Sequence, residues 1–195
     1  MCSSDLSGSS GVPKALLSRA ASGWLIAAYA LLWLQIALGG WVSTNYAVMA
    51  CTDFPACQNS MWPAMNFREG FTLWRELGAG LNGDNLSFQA LTAIHYVHRL
   101  SAYAVFAALL VVAAQLYRHD AFRPSAQWLA GLAIFQMQTG LGNVWLGWPL
   151  AAAVLHTAGA AALVVVMTGA LAIRFTAASA STSTITRHHT KTLAV

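Results

Sequence analysis

Four ionisable side chains stand inside otherwise apolar runs of this sequence, where they could carry chemistry. His95, His98 and Arg99 lie near the start of one such run, and His156 lies inside another, residues 150–173. Ionisable groups are costly at membrane depth, so they usually mark a functional site there. A neutral imidazole is also a common metal ligand. The spacing therefore predicts that His98 and His156 hold a metal centre between two membrane helices.

The elements that must position these residues are membrane-spanning helices. Hydrophobic residues make up 57% of the chain, charged residues make up 8%, and the mean hydropathy is +0.56. A soluble domain carries about 25% charged residues. A helical span needs about 20 apolar residues. The first apolar run of the chain, residues 24–42, is too long for a cleaved signal segment. We predict an all-α fold, an integral membrane four-helix bundle, with spans at 24–42, 90–117, 128–148 and 150–173.

The charge distribution predicts how these helices are oriented. Seven of the ten Lys and Arg residues share one side of the membrane if both termini are cytoplasmic, which is the positive-inside pattern. We therefore attribute the net charge of +4 to these residues, which determine the orientation of the helices across the membrane. Nucleic-acid binding needs a basic stripe with interleaved aromatic residues, and the sequence has none, so we expect no nucleic-acid partner. The seven residues are Lys14, Arg19, Arg118, Arg123, Arg174, Arg187 and Lys191.

The ends of the chain differ in composition from its centre. Residues 1–23 are rich in Ser and Gly, and residues 176–195 are rich in Ser and Thr with basic residues among them. We expect a disordered cytoplasmic segment at each end. The transmembrane domain then occupies residues 24–175, and its one long connection is an outer loop at 43–89.

The outer loop carries two patterned features. Asn66-x-x-Glu69 is typical of a helix N-terminus, and aromatic residues recur at helical spacing as far as Trp74, which predicts a short amphipathic helix on the membrane surface. Cys51 and Cys57 can form a disulfide if the loop is periplasmic. Zinc would need more ligands than two thiolates, and a redox-active pair is a third possibility. We favour the disulfide and leave the other two interpretations open.

A weak internal repeat relates the two halves of the transmembrane domain. Gln35-Ile-Ala-Leu-Gly39 in the first span resembles Gln138-Thr-Gly-Leu-Gly142 in the third, and each is followed by an inward helix with a histidine near its outer end. The pattern predicts two pseudo-symmetric helix hairpins related by an axis along the membrane normal. It places the two histidines at similar depth and makes Gln35 and Gln138 candidates for hydrogen bonds between helices.

The surroundings of the two histidines point to the kind of metal centre. Two imidazoles facing each other across a bundle are axial ligands of a b-type heme, and small neighbours leave room for its flat ring. The alternative is that small residues only pack helices and each histidine only bonds a neighbouring helix. We interpret His98 and His156 as ligands of the iron of heme b. Arg99 is then placed to pair with a propionate, and His95 is a candidate for lining the pocket or for catalysis. The small neighbours are Ser101 and Ala102 beside His98, and Ala152, Ala153, Gly159 and Ala160 beside His156.

Several motifs along residues 24–175 resemble the C-terminal half of bacterial heme A synthase. The resemblance implies an eight-helix protein of two four-helix halves in the bacterial inner membrane. One half receives the substrate heme, and the other holds heme b through paired histidines. The activity implied is oxidation of the C8 methyl group of heme O to the formyl group of heme A, for cytochrome oxidase assembly. The motifs are Leu38-Gly-Gly-Trp-Val-Ser-Thr-Asn-Tyr46, Cys51-Thr-Asp-Phe-Pro-Ala-Cys57, Trp62-Pro63, Ile94-His-Tyr-Val-His-Arg99 and the helix of His156.

The resemblance also implies site residues and partners. His98 and His156 match the paired heme ligands, and Cys51 and Cys57 match a cysteine pair in a periplasmic loop. The expected partners are heme O as substrate, membrane lipid, an electron donor and heme O synthase. Because the chain has one four-helix half, it is expected to be a fragment lacking the N-terminal half or a form that works as a homodimer. In the family's other half a glutamate stands where this chain has His95, so the resemblance assigns no catalytic residue.

Three other functions fit parts of the pattern. A stand-alone b-type cytochrome would bind the same heme only to carry electrons. A membrane thiol–quinone oxidoreductase would use redox-active outer cysteines, but a tighter C-x-x-C than Cys51 and Cys57 is expected there. A structural membrane subunit without a cofactor would leave His98 and Arg99 unexplained at membrane depth.

Overall fold

The computed structural model describes residues 17–80 and 83–192, with side chains described as far as residue 176. These residues contain no β-strand, only two isolated bridges, and the predicted all-α class is confirmed. Two short 3₁₀ turns lie at Ala47–Met49 and Asp120–Phe122. The helices are α1 (Arg19–Thr44), the single turn α2 (Phe67–Gly70), α3 (Phe88–Tyr117), α4 (Arg123–Trp145) and α5 (Leu150–Thr192).

Capping side chains determine where α1 and α3 begin. The Ser18 hydroxyl oxygen accepts a hydrogen bond from the backbone N–H three residues on, at 3.1 Å, and Ser87 makes the same bond at 3.2 Å. Helix α1 therefore begins inside the segment 1–23 that we expected to be disordered. Residues 1–16 of that segment lie outside the described residues.

The ends of α4 and α5 differ from the predicted spans. Helix α4 ends at Trp145 because Gly147 and Trp148 adopt positive φ angles of 67° and 64° in the turn before Pro149. Helix α5 continues past the predicted end of its span and through most of the expected disordered tail, as far as Thr192. Residues 193–195 lie outside the described part of the chain.

The four long helices pack in a ring. Helix α1 contacts α3 and α5, and helix α4 contacts the same two helices. At the end of the ring away from the α1–α3 connection, all four helices contribute to one apolar core. This core fixes the four helices relative to one another at the end of the ring away from the α1–α3 connection. Its most buried members include Leu25, Leu32, Leu109, Leu116, Leu129, Leu163 and Met167.

Three of the long helices in the described residues are long and apolar enough to cross a membrane: Arg19–Thr44, Phe88–Tyr117 and Leu150–Thr176. Helix α4 is long enough but less apolar, because it carries glutamines and an asparagine. Helices α1, α3 and α5 therefore have the length and composition that the predicted spans require. The fourth, at 128–148, stays a prediction.

The connection between α1 and α3, residues 45–87, is called the connecting loop below, and the helix ends beside it are called the loop end. Asn66 Oδ1 accepts from the backbone N–H of Glu69 at 3.1 Å, as the sequence predicted. The helix then ends at Gly70, so its predicted continuation to Trp74 is wrong. At Gly70 the chain packs too closely for another turn: Trp41 Nε1 donates to its carbonyl at 2.9 Å, and an added Cβ would lie 2.9 Å from a carbonyl of α3.

Candidate functional site

A cavity of about 520 Å³ lies between the four long helices, towards their loop end. Its volume is within the range of about 300–1,000 Å³ that small-molecule and cofactor sites occupy. His98 reaches it from α3, and His156 reaches it from α5. The structure therefore brings into one cavity the two histidines that the sequence singled out.

The side chain of Gln35, on α1, positions His98. Gln35 Nε2 donates to the backbone carbonyl of His98 at 3.1 Å and lies 3.0 Å from the ring nitrogen Nδ1. The hydroxyl of Ser101 donates to Gln35 Oε1 and to the same His98 carbonyl. An amide that donates to Nδ1 leaves the hydrogen of the neutral ring on Nε2. A half-turn of the Gln35 amide would let Oε1 accept from Nδ1–H and free Nε2 for a metal ion, at the cost of the hydrogen bond to the His98 carbonyl.

Thr139, on α4, positions His156. Its hydroxyl oxygen lies 2.9 Å from His156 Nδ1 and 2.9 Å from the backbone carbonyl of Phe135, to which the hydroxyl can donate. In that arrangement the hydroxyl accepts from Nδ1–H, and the ring hydrogen is on Nδ1. The other nitrogen, Nε2, keeps its lone pair, as a metal ligand must.

Each histidine ring also lies against a glycine of the preceding long helix. A Cβ added to Gly39 would lie 3.1 Å from His98 Cε1, and one added to Gly140 would lie 3.3 Å from His156 Cε1. Both distances are shorter than ordinary van der Waals contact. Any side chain other than hydrogen at these two positions would push the imidazole away from its helix.

These contacts correct the register of the internal repeat. Four residues before each contacting glycine stands a glutamine that lines the cavity, Gln35 in α1 and Gln136 in α4. Gln138, which we matched to Gln35 from the sequence, is exposed. On an α-helix a shift of two residues turns a side chain by about 200°. The predicted match was therefore two residues out of register, and the interhelical role predicted for Gln138 is wrong.

Arg99 is buried, with 8% of its surface exposed, and its guanidinium is directed into the connecting loop. Nη1 donates to the backbone carbonyls of Asp53 and Ala56 at 2.7 and 3.1 Å, and Nη2 donates to that of Cys51 at 2.5 Å. Four of its five N–H groups have partners once the bond to His95 is included. Arg99 thus holds the loop against α3 and keeps one N–H group for another acceptor.

His95 lines the cavity wall but has neither ring nitrogen free. Nδ1 lies 2.9 Å from the backbone carbonyl of Ala47, and Nε2 accepts from Arg99 Nε at 3.3 Å. The ring must therefore carry its hydrogen on Nδ1. Nδ1 connects α3 to the carbonyl of Ala47, and Nε2 holds the guanidinium of Arg99, so both ring nitrogens are occupied, which favours a positioning role over catalysis.

The segment of the loop that Arg99 holds is closed by a disulfide between Cys51 and Cys57, whose Cα atoms are 4.8 Å apart. Both cysteines are buried. The carboxylate of Asp53 accepts from the backbone N–H groups of Gln58 and Asn59, at 2.7 and 2.8 Å. These two residues have φ angles of +55° and +57°, a conformation that the aspartate stabilises.

Two residues at the loop end of the cavity were missed by the sequence analysis. Phe54, inside the disulfide segment, contacts the ring of Tyr103 on α3 and that of Trp145 on α4, with centroids 6.4 and 6.1 Å away, and covers this end of the cavity. Asn143, on α4, is 3% exposed, lines the cavity, and has an Oδ1 atom without a hydrogen-bond partner. Neither residue was assigned a role from the sequence, although Phe54 lies within the motif Cys51-Thr-Asp-Phe-Pro-Ala-Cys57.

The residues present fit a flat, metal-centred ligand. A glycine backs each histidine, so each imidazole lies close against the preceding long helix while it lines the cavity. With its ring hydrogen on Nδ1, His156 offers an unprotonated Nε2. Asn143 lines the same cavity, and its amide oxygen has no hydrogen-bond partner. The fold and this cavity define a multi-pass membrane protein with a histidine-lined site between its helices.

Comparison with known proteins identifies the family. The sequence pattern of the COX15-CtaA family, described as cytochrome oxidase assembly protein, matches residues 6–168, and the chain belongs to this family. It is 33% identical over 133 residues to a heme A synthase of Shewanella oneidensis, which covers 68% of this chain and 40% of that protein. It is 32% identical over 165 residues to a heme A synthase of Sphingopyxis alaskensis, covering 83% and 41%. No solved structure matches the chain.

Proposed function

We propose that this chain is the heme-binding half of a heme A synthase and that His98 and His156 bind the iron of heme b. One observation carries the proposal: two histidines from different helices, each backed by a glycine, line a single cavity of about 520 Å³. The chain spans about 40% of the length of the heme A synthases that it matches. The proposal therefore concerns one half of a heme A synthase and not the whole protein.

The reaction that this half supports is oxidation of the C8 methyl group of heme O to the formyl group of heme A. A bound heme would supply one-electron redox chemistry at its iron. The chain's own residues bind and orient that group: Gln35 and Thr139 hold the ring nitrogens of the two ligands, and Phe54 covers the cavity from the loop side. None of these residues is proposed to transfer a proton in the reaction.

Arg99 and His95 are proposed to act on the connecting loop. Arg99 was expected to pair with a propionate, and one of its N–H groups remains for that purpose. Its other bonds go to three loop carbonyls and to His95. We assign the pair mainly to holding the disulfide segment over the cavity.

The proposed setting is the bacterial inner membrane, with four spanning helices, both termini cytoplasmic and the connecting loop periplasmic. Three helices have the length and composition of spans, and α4 packs between two of them. The proposed partners are lipid, heme O, an electron donor, heme O synthase, and either an N-terminal half or a second copy of this chain.

A stand-alone b-type cytochrome is the second candidate, because the same cavity and histidines would serve it. A thiol–quinone oxidoreductase is disfavoured because the sulfurs of Cys51 and Cys57 are enclosed, with these residues 1% and 0% exposed. Conversion of heme O by the chain joined to its other half, or by its homodimer, would separate the synthase from the cytochrome.

The experiment that tests heme ligation is a reduced-minus-oxidised absorption spectrum of the purified membrane protein, with pyridine hemochrome typing. The wild type should give a low-spin b-type signal, and His98→Ala and His156→Ala should each abolish it. His119→Ala, between α3 and α4 and outside the cavity, is the matched control and should keep the signal. A folded wild type that binds no heme would refute the proposal.

A further inference from the structure

We infer that Asn143 binds a carboxylate at the edge of the ligand held by His98 and His156, and so determines which way round the ligand sits. The inference deepens the proposed function and rests on it. Asn143 is 3% exposed, and its Oδ1 is buried without a hydrogen-bond partner. Buried polar atoms are nearly always hydrogen-bonded, so this amide, in the wall of the cavity, is expected to turn so that its NH2 group bonds an acceptor on the ligand.

The position of Asn143 on α4 places it beside the proposed ligand. It lies three residues beyond Gly140, the residue against which His156 packs, and therefore on the same face of the helix and nearer the loop end. A ring bound through the two histidines would have its loop-side edge at the level of Asn143.

The two ends of the cavity differ in polarity. At the loop end the wall contains Ser43, Arg99 and Asn143, whereas the opposite end is entirely apolar. A tetrapyrrole of the heme b type is polar only along one edge, where it carries two propionates. Burying that edge among apolar side chains would leave two carboxylates without partners, which is strongly unfavourable. The apolar end is formed by Leu32, Val105, Phe106, Leu109, Ala133 and Leu163.

The chemistry of the asparagine suits a carboxylate at the loop end. A half-turn of its amide plane exchanges the carbonyl oxygen and the NH2 group, so Asn143 can donate two N–H groups into the cavity. Hydrogen bonds to an ionised acceptor are stronger than those between neutral groups. Arg99 lines the same part of the cavity, and its positive charge favours an anion there.

The test compares two ligands and three proteins. Wild type, Asn143→Leu and the control Gln138→Leu, which changes an exposed residue of the same helix, are titrated with heme b and with iron etioporphyrin, which has alkyl groups in place of propionates. We expect Asn143→Leu to weaken heme b binding about tenfold and to leave iron etioporphyrin binding within about twofold of wild type. Gln138→Leu should match wild type with both ligands.

A second variant guards against misfolding. Asn143→Asp keeps the size of the side chain and places a negative charge beside the propionate, so it should weaken heme b binding more than Asn143→Leu does and leave iron etioporphyrin binding nearly unchanged. Helix content by circular dichroism should be the same in all four proteins.

Three outcomes would overturn the inference. An equal loss of affinity for both ligands in Asn143→Leu would show that the residue acts through packing. No loss for either ligand would show that water completes its hydrogen bonds. If wild type binds neither ligand with a spectrum that depends on His98 and His156, the proposed function itself fails, and this inference fails with it.

Discussion

Thr139 on α4 orients His156 on α5, with 2.9 Å between the threonine hydroxyl and Nδ1 of the ring. When the hydroxyl donates to the carbonyl of Phe135, its oxygen accepts from Nδ1–H and Nε2 is left unprotonated. A hydrogen bond of this kind on the far nitrogen of a metal-binding histidine fixes both its tautomer and its orientation.

Removing that hydroxyl should weaken the metal centre without removing a ligand. Thr139→Val keeps the shape of the side chain, and we expect about a tenfold loss of heme affinity, together with a changed reduction potential. Thr139→Ser keeps the hydroxyl and should restore both values. Spectroscopic heme titration and a redox titration measure them. Equal affinity and potential in Thr139→Val and wild type would contradict the tautomer assignment.

The glycines behind the histidines should not tolerate a methyl group. Gly39→Ala and Gly140→Ala each place a carbon atom 3.1–3.3 Å from an imidazole, so the ring must move away from its helix. We expect both variants to bind heme more weakly and to show a shifted or partly high-spin spectrum. Gly131→Ala, where an added Cβ meets nothing within 4 Å, is the control on α4. Unchanged spectra in both variants would show that the rings have room to move.

The guanidinium of Arg99 should stabilise the connecting loop. Arg99→Lys keeps the charge but offers a single nitrogen to three loop carbonyls, and we expect a loss of about 2 kcal/mol in the free energy of unfolding. The disulfide between Cys51 and Cys57 should also be reduced faster by added thiol. Thermal unfolding and thiol-trapping kinetics measure the two effects. Arg68→Lys, at an exposed arginine of the same loop, should leave both unchanged; a matching result for Arg99→Lys would rule out the anchoring role.

Glu69 should make the stability of the loop depend on pH. The hydroxyl and backbone N–H of Ser87 donate to its carboxylate, at 2.5 and 2.9 Å, and hold the pKa of Glu69 below its ordinary value. A depressed folded-state pKa stabilises the protein above the ordinary carboxyl pKa, and this stability is lost as pH falls through the lowered value. Glu69→Gln should lower the unfolding temperature at neutral pH and give a flatter pH dependence below about pH 5.

The control for that prediction is Glu76→Gln, in the same loop but exposed. It should reproduce the wild-type pH dependence. If Glu69→Gln follows the wild-type curve as well, the contact with Ser87 contributes nothing measurable to stability.

The charged and imidazole residues of the site could be predicted from the sequence because they interrupt apolar runs. His98, His156 and Arg99 all line the cavity, and three predicted spans have matching helices. Charge inside an apolar helix is rare enough to carry information by itself. Uncharged polar residues are more common in such helices and carry less information, so Asn143 and Gln136 were not singled out from the sequence.

Other features depend on contacts between distant segments and left no local signal. The register of Gln136 becomes visible only once α4 packs against α5, and the early end of α2 depends on the close approach of Gly70 to α3. Arg99 was expected to face a ligand, but the carbonyl groups of the folded loop compete for its guanidinium. Helical periodicity predicts which residues share one face of a helix. It does not predict which neighbouring element that face packs against.

The loop carbonyls around Arg99 also bear on the order of events during synthesis. Asp53 precedes Arg99 by 46 residues, so the ribosome completes the disulfide segment well before it makes the cation that this segment encloses. Until α3 emerges and enters the membrane, the carbonyls of Cys51, Asp53 and Ala56 have only water to bond. The loop therefore cannot take its final shape until α3 lies beside it and supplies the guanidinium of Arg99.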